Sequence, residues 1–379
     1  MTNSIQAKEV AIVYNYIAHY RVPIFNLLSS DEKNNYTIFS GTTSEIQIKL
    51  ASENLSKKKN SEGGINWIQI KNYWLFNLFL IQPFSILLPL KRKYNTIIYL
   101  GNMYYLTTWI SAILARLCGK KIIFWTHGFI KEENNIKGLI RATFYKLSNE
   151  ILVYGQRSKN ILVSKKFNPD KIKLIYNSLD YSLHQNIINT LRTESFKFDF
   201  FKDNNLPLIG FIGRLTPQKK IHILLEVLEK MKDSNNFNIL IIGDGSEREK
   251  LLELITKLNI EDNICLYGSC YNEQEISQLI TCIDVLISPG EVGLSAVHSM
   301  TFGTPVLTHN RFDLQMPEFE AISPGLTGDF FDYSNPVDSL CQILPKWLNK
   351  SDKRIDDCKK VISDKFNPQV QLSIFNNIV

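Results

Sequence analysis

The sequence predicts an α/β protein made of two doubly wound domains. Three observations carry that expectation. Short apolar runs alternate with longer segments of helical period from one end to the other, the pattern of parallel sheets covered by helices. The chain has 379 residues, enough for two cores at roughly 100–200 residues per domain. The alternation also restarts after a polar stretch, where Pro207 opens a second series.

In the first series, strands are expected over residues 9–15, 36–40, 66–70, 96–100, 121–126, 150–154 and 171–176, with helices over 105–117 and 139–147. In the second, strands are expected over 208–212, 238–242, 264–267, 285–288 and 306–308. Helices should begin near Lys219, Ser246, Glu273 and Gly293. Residues 180–205 are polar and rich in Asn and charge, which places a linker at 186–205 between domains at 1–185 and 206–350. Helices over 351–379 are expected to pack back towards the first domain. In such a pair of sheets a ligand belongs in the cleft faced by the carboxyl ends of the strands, so chemistry should sit just after strands.

Apolar residues make up 44% and charged residues 21%, which excludes wholesale disorder, collagen-like repetition and a multi-span membrane protein. The formal net charge of +6 suits anionic substrates or an anionic membrane surface and does not call for nucleic acid. Six cysteines without a CxxC pair read as reduced thiols, and the start of the chain has neither a basic n-region nor a small-residue cleavage site. A cytoplasmic protein is expected, at the inner face of the cytoplasmic membrane if it touches lipid. Residues 74–90 are almost continuously apolar and run into Lys91, Arg92 and Lys93. They read as a buried helix of the first domain, with a helix in the membrane interface as the alternative.

Three segments carry chemistry. Gly213-Arg214-Leu215-Thr216-Pro217-Gln218-Lys219-Lys220 follows a strand and presents cations at the start of a helix, a group suited to a diphosphate. A solvated basic turn reads the same way, whereas a dinucleotide loop lacks its GxGxxG spacing. Gly243-Asp244-Gly245-Ser246 opens the next helix, as a structural turn or a ligand-lining loop. Residues 284–306 read as strand, glycine-bearing turn, helix, tight turn and strand, and aim the backbone N–H groups near Gly293 and Leu294 at a ligand.

In this order and at these separations the segments resemble the family 4 glycosyltransferases of the GT-B fold, two Rossmann-like domains facing a cleft. The resemblance runs from about residue 8 to about residue 350 and rests on GRLTPQKK, IIGDGSEREKL, Tyr267-Gly268 and DVLISPGEVGLSAVHSMTFGTPV. In the first domain it rests on Tyr20-Arg21-Val22-Pro23, Trp125-Thr126-His127-Gly128 and Tyr176-Asn177-Ser178-Leu179-Asp180.

The resemblance implies a retaining enzyme that moves a sugar from a nucleotide-diphosphate donor to a saccharide, expected to be a lipid-linked intermediate of a surface polysaccharide. It implies that Arg214 and Lys219 neutralise the leaving diphosphate, that Gly213, Gly243, Gly293 and Leu294 line the donor, and that His127 positions the donor sugar. Gly268 and its neighbours Tyr267 and Ser269 look like the turn beside the nucleotide base. The family's two glutamates, seven residues apart, fall here on Gly290 and His298. Glu291 stands one position off, and His298 becomes the expected ribose neighbour, with a weaker demand for the 2′-hydroxyl. Tyr16, His19, Tyr20 and Arg21 replace a glycine pair of the first loop and suit an acceptor bearing hydroxyls. No cofactor is expected beyond the donor substrate, and no metal, because no DxD pair follows a strand. A nucleotide-sugar epimerase of the same fold and a non-catalytic saccharide- or nucleotide-binding module are the alternatives.

Overall fold

A computed structural model describes residues 7–46, 48–191, 199–234, 236–348 and 352–379. The chain divides into two compact units. One runs to Asp180 and takes back Asn367–Val379; the other is Tyr181–Phe366.

The strands of the first unit are β1 (Lys8–Tyr16), β2 (Asn34–Gly41), β3 (Trp67–Gln69), β4 (Tyr73–Leu75), β5 (Phe79–Ile81), β6 (Thr96–Leu100), β7 (Lys121–Thr126), β8 (Glu150–Val153) and β9 (Ile172–Leu174). Seven of them form one parallel sheet in the order β3-β2-β1-β6-β7-β8-β9. The period of two explains why its strands are apolar throughout: Ile122 and Phe124 of β7 enter one core, Ile123 and Trp125 the opposite one. Helices α1 (Val22–Ser29), α2 (Leu106–Leu117), α3 (Ile136–Tyr145) and α4 (Gln156–Ser164) cover the sheet.

The second unit contains α5 (Tyr181–Leu191), β10 (Leu208–Ile212), α6 (His222–Met231), β11 (Asn238–Ile242), α7 (Arg248–Leu258), β12 (Ile264–Gly268) and α8 (Glu273–Cys282). It continues with β13 (Val285–Ser288), α9 (Leu294–Thr301), β14 (Val306–His309), β15 (Gly328–Phe331), α10 (Pro336–Ile343) and α11 (Asp352–Lys365). Its six strands are parallel, in the order β12-β11-β10-β13-β14-β15. Every strand expected from the sequence is present; β4, β5 and β15 were not expected.

Three expectations need correction. Residues 186–205 are not a bare linker, because Ile187 and Ile188 of α5 and Phe201 are buried with Leu240, Ile242, Leu279 and Ile280. Residues 351–379 do not act together. Helix α11 packs on α9 in the second unit, whereas α12 (Pro368–Ile378) sets Phe375 5.1 Å from Trp125 in the first.

Residues 74–90, finally, are not a helix: β4 and β5 form an antiparallel hairpin, and Pro83–Leu90 is a 3-10 helix. Pro83 would cost a helix over 74–90 an interior hydrogen bond, so the chain changes conformation there. Among the described residues no helix is long and apolar enough to cross a membrane. Among the described residues the six cysteines form no disulfide.

Candidate functional site

In the second unit the loops after β10, β11 and β13 touch backbone to backbone, and glycine makes the contact feasible. Gly243 has φ 151°, and a Cβ there would lie 1.8 Å from the Gly213 carbonyl oxygen. At Gly290 a Cβ would meet the Gln218 carbonyl oxygen at 2.0 Å. The glutamate that the resemblance would place at 290 therefore has no room; the glycine seats the 213–220 turn against the 288–293 loop. That loop is fixed from behind. The buried Gln315 amide accepts from the Val292 N–H at 2.7 Å and donates to Thr308 Oγ1 at 2.8 Å, and Thr308 Oγ1 donates to the Ser288 carbonyl at 2.8 Å. Gln315 was missed because nothing in its own neighbourhood of sequence marks it.

Two cations project from the first of these loops. Arg214 is exposed. Lys219 is half-buried, and its Nζ donates to the Glu291 carbonyl at 2.8 Å and lies 3.5 Å from the Glu291 carboxylate. Burial pushes the Lys219 ammonium below its ordinary pKa, the Glu291 carboxylate opposes this, and the Arg214 charge adds to the downward push. Such a pair is suited to an anion: two cations are crowded together, and Lys219 is balanced by the Glu291 carboxylate, 42% exposed, with a smaller contribution from the buried Glu318. The cations do not stand at the helix start itself, because Pro217–Lys219 is a 3-10 turn, Lys220 is left-handed and α6 begins at His222. Lys220 instead covers the Tyr333 ring, with Nζ 4.0 Å from its centroid.

Helix α9 begins at Leu294 behind Gly293, with no side-chain cap. A Cβ on Gly293 would meet nothing within 4 Å. The start of α9, with the positive end of its helix dipole, thus borders open space at Gly293, although the Ala296 N–H already donates to the Gly293 carbonyl at 3.0 Å.

His298, the expected ribose neighbour, is buried within the second unit. Its ring stacks on His184 at 4.8 Å, lies 5.7 Å from Phe302, and sets Nε2 3.4 Å from Glu273 Oε2. His184 Nε2 lies 3.1 Å from the same oxygen. Hydrogen bonds from the two histidines, His184 first, hold the Glu273 carboxyl well below the usual carboxylate range, and burial pushes the His298 imidazole down. Glu273 is the half-exposed member. It was missed because residues 184, 273 and 298 meet only through α5, α8 and α9. Among the described residues these three side chains also form a group that could hold a metal ion, its ligand atoms all within 4.8 Å of one another. Beside it Gly268 is left-handed at φ 89°, and its carbonyl accepts from the Gly243 N–H at 2.8 Å. The Tyr267 hydroxyl donates to the Glu275 carboxylate.

In the first unit His127 stands just after β7. Among the described residues its buried Nδ1 has no hydrogen-bond partner, and burial, helped by the Arg21 charge, holds the imidazole down at about 4. Gly128 is left-handed at φ 64°, where a Cβ would meet Ser158 Oγ at 2.1 Å. Arg21 is not an open acceptor contact. It is buried, donates from Nη2 to the Tyr154 hydroxyl at 2.7 Å and lies 5.2 Å from the Trp125 ring centroid. Arg21, His127, Tyr154 and Trp125 therefore form one cluster. Tyr16 is also buried, Tyr20 is half-buried and His19 is exposed, with Nδ1 3.2 Å from the Lys49 carbonyl.

Comparison with known proteins follows this division. Residues 192–360 match the family model "Glycosyl transferases group 1". An uncharacterized glycosyltransferase of Methanocaldococcus jannaschii is 28% identical over 233 residues, 58% of this chain and 55% of that protein. The poly(ribitol-phosphate) alpha-N-acetylglucosaminyltransferase of Staphylococcus aureus is 27% identical over 154 residues, 38% of this chain and 31% of that protein. The chain spans about half the length of the first curated relatives it matches. Solved structures match over nearly all of it. Anabaena HepE in complex with UDP has a TM-score of 0.68 at 16% identity, covering 98% of this chain and 99% of that one. The lipopolysaccharide outer core galactosyltransferase WaaB has 0.69 at 16%, covering 98% of each. The fold is that of the GT-B glycosyltransferases, two Rossmann-like domains.

Proposed function

We propose that this chain is a glycosyltransferase that moves a sugar from a nucleoside-diphosphate sugar to a saccharide, with retention at the anomeric carbon. The observation that carries the reading is the Arg214–Lys219 turn, seated by Gly290 against the loop that leads into the uncapped start of α9. All three features favour the same dianionic group, and charge stabilisation of that kind at a leaving diphosphate is the largest expected catalytic contribution. Support also comes from the group 1 glycosyl transferase match over residues 192–360 and from the UDP complex of HepE.

The acceptor hydroxyl approaches C1 on the face from which the diphosphate departs. As the C1–O(phosphate) bond breaks, a departing phosphate oxygen takes the hydroxyl proton and the new C1–O bond forms. Arg214 and Lys219 hold the charge that develops, and no protein nucleophile is required, in keeping with Gly290 at the place of the first family glutamate. Glu273, held by His184 and His298, supplies the acceptor for ribose hydroxyls that His298 lacks. The acceptor we infer is a lipid-linked saccharide of surface polysaccharide synthesis.

Incubation with a panel of nucleotide sugars tests this: slow donor hydrolysis should select one nucleotide and persist in EDTA, and NMR of the transfer product should show the donor's anomeric configuration. No hydrolysis of any donor, or inverted product, contradicts the reading. Complete loss in EDTA restored by Mn²⁺ would give the His184–Glu273–His298 group to a metal.

A further inference from the structure

The first unit carries an apolar surface that its core does not use. On α2 the inward positions are small: Thr107, Thr108, Ser111, Ala112 and Ala115 are buried. Leu106, Ile110, Ile113 and Leu117, spaced by four, three and four residues, point outward, and Leu117 is 80% exposed. Its neighbour α3 repeats the arrangement with Ile136, 77% exposed, and with Leu139 and Ile140. Contacts join the two helices, with the Trp109 and Phe144 rings 4.8 Å apart and Arg116 Nη1 donating to the Lys146 carbonyl at 2.9 Å.

The same surface continues beyond α2. The 3-10 helix Pro83–Leu90 packs on α2 through Ser111 Oγ, which donates to the Ser85 carbonyl at 2.6 Å, and leaves Leu87 and Leu90 exposed. The β4–β5 hairpin is joined to the start of α2 by the Phe79 and Tyr104 rings, 5.8 Å apart. At its tip Phe76, left-handed at φ 54°, is 93% exposed. A bulky aromatic residue in that conformation is uncommon, and here it makes no core contact in return.

The charge around this surface is mostly positive, with Glu9 paired to Lys93 at 3.3 Å and Glu133 to Arg141 of α3 at 2.9 Å. Residues 63–131 contain eight Lys or Arg and no Asp or Glu. Lys91, Arg92, Lys93 and Arg116 among them are exposed beside the apolar residues.

We propose that the face formed by the hairpin tip, the 3-10 helix, α2 and α3 docks on an anionic lipid bilayer, with its apolar side chains in the interface and its cations on the headgroups. A second copy of the chain fits poorly, because a two-fold contact through this face would set one cationic rim against the other. A bilayer with anionic headgroups satisfies both features at once. The inference does not depend on the reaction proposed above.

Sedimentation with vesicles tests it. The full chain should pellet with phosphatidylcholine vesicles carrying about one-third phosphatidylglycerol at about 0.1 M NaCl, and about tenfold or more weakly with pure phosphatidylcholine or at about 0.5 M NaCl. Phe76→Ser combined with Leu117→Ser and Ile136→Ser should lower partitioning about tenfold or more, and Lys91→Gln with Arg92→Gln and Lys93→Gln should do likewise on anionic vesicles only. Both variants should keep the parent's circular dichroism and donor hydrolysis, which separates a docking defect from misfolding and from failure of the transferase reading. No binding to anionic vesicles overturns the proposal, as does equal binding to neutral and anionic ones. A dimer in sedimentation velocity that the serine variant dissociates, without vesicle binding, would also overturn it and give the face to a second copy.

Discussion

Helices α2 and α6 each cover one face of a parallel sheet, and they distribute apolar bulk in opposite senses. In α6 the residues turned to the sheet are large: Ile223, Leu224, Leu225, Val227, Leu228 and Met231 are buried. In α2 the buried residues are small, and Leu106, Ile110, Ile113 and Leu117 face out, while Trp109 is half-buried against Phe144. The second unit therefore uses its apolar residues for a core that holds the loops after β10, β11 and β13 in register, whereas the first leaves part of its apolar surface exposed, the face proposed above for a bilayer. An outward leucine at helical spacing cannot be told from a core leucine by period alone; the small residues on the opposite side of the helix decide it.

The largest effect expected from breaking the comparison lies in the second unit. Arg214→Ala and Lys219→Ala should each lower turnover by about 10² or more while the fold survives, since loss of one preorganised charge partner costs on the order of 2.7–4 kcal/mol. Steady-state rates with the donor found by the panel check this, and normal turnover in both variants would remove the diphosphate assignment.

The glycines come next. Gly243→Ala and Gly290→Ala would put a Cβ 1.8 and 2.0 Å from a carbonyl oxygen and should cost roughly 2–4 kcal/mol, whereas Gly293→Ala, with open space around it, should stay within about 1 kcal/mol. Urea unfolding of the three variants measures the difference. A smaller contrast separates the two helices: Leu224→Ala should cost about 2–4 kcal/mol and Ile110→Ala about 0.5 kcal/mol or less. Equal costs would mean that α2 buries its outer face after all.

Most of the two sheets was legible in the sequence, because parallel strands buried on both faces read as bare apolar runs such as 121–126 and 238–242. The β4–β5 hairpin was not, since residues 74–90 lack any alternation to distinguish strand from helix, and only the two prolines hinted at a break. The loop positions of Arg214, Lys219 and Gly293 were readable because each follows a strand directly. What stayed hidden was assembled from distant pieces. Glu273 meets His298 through three helices, Gln315 reaches back to Val292 from beyond β14, and Arg21 turns inward because the Tyr154 hydroxyl and the Trp125 ring receive it.

A gentler effect concerns pH. Burial, helped by Arg21, holds His127 at about 4; burial and Lys220 hold His309 at about 4; burial holds His298 below its ordinary value. Unfolded imidazoles titrate near ~6.5. Below that pH the unfolded chain binds protons that the folded chain refuses, so stability present above about pH 6.5 is lost as pH falls towards about 4, by at most ~1.4 kcal/mol per histidine per pH unit. Urea midpoints at about pH 7.5 and pH 5 should show the decline, and His127→Gln should flatten it; a midpoint that rises on acidification contradicts these assignments.

The central claim, that the Arg214–Lys219 turn receives a nucleoside diphosphate, is tested most directly by calorimetric titration of the diphosphate and the monophosphate of the working nucleoside into the wild type and Lys219→Ala. The account predicts that the wild type binds the diphosphate at least ~10-fold more tightly, and that the gap closes in the variant, since a charge-assisted contact of this kind contributes about 1.5–3 kcal/mol. Equal binding of the two nucleotides by the wild type, or a gap that survives in Lys219→Ala, would contradict it.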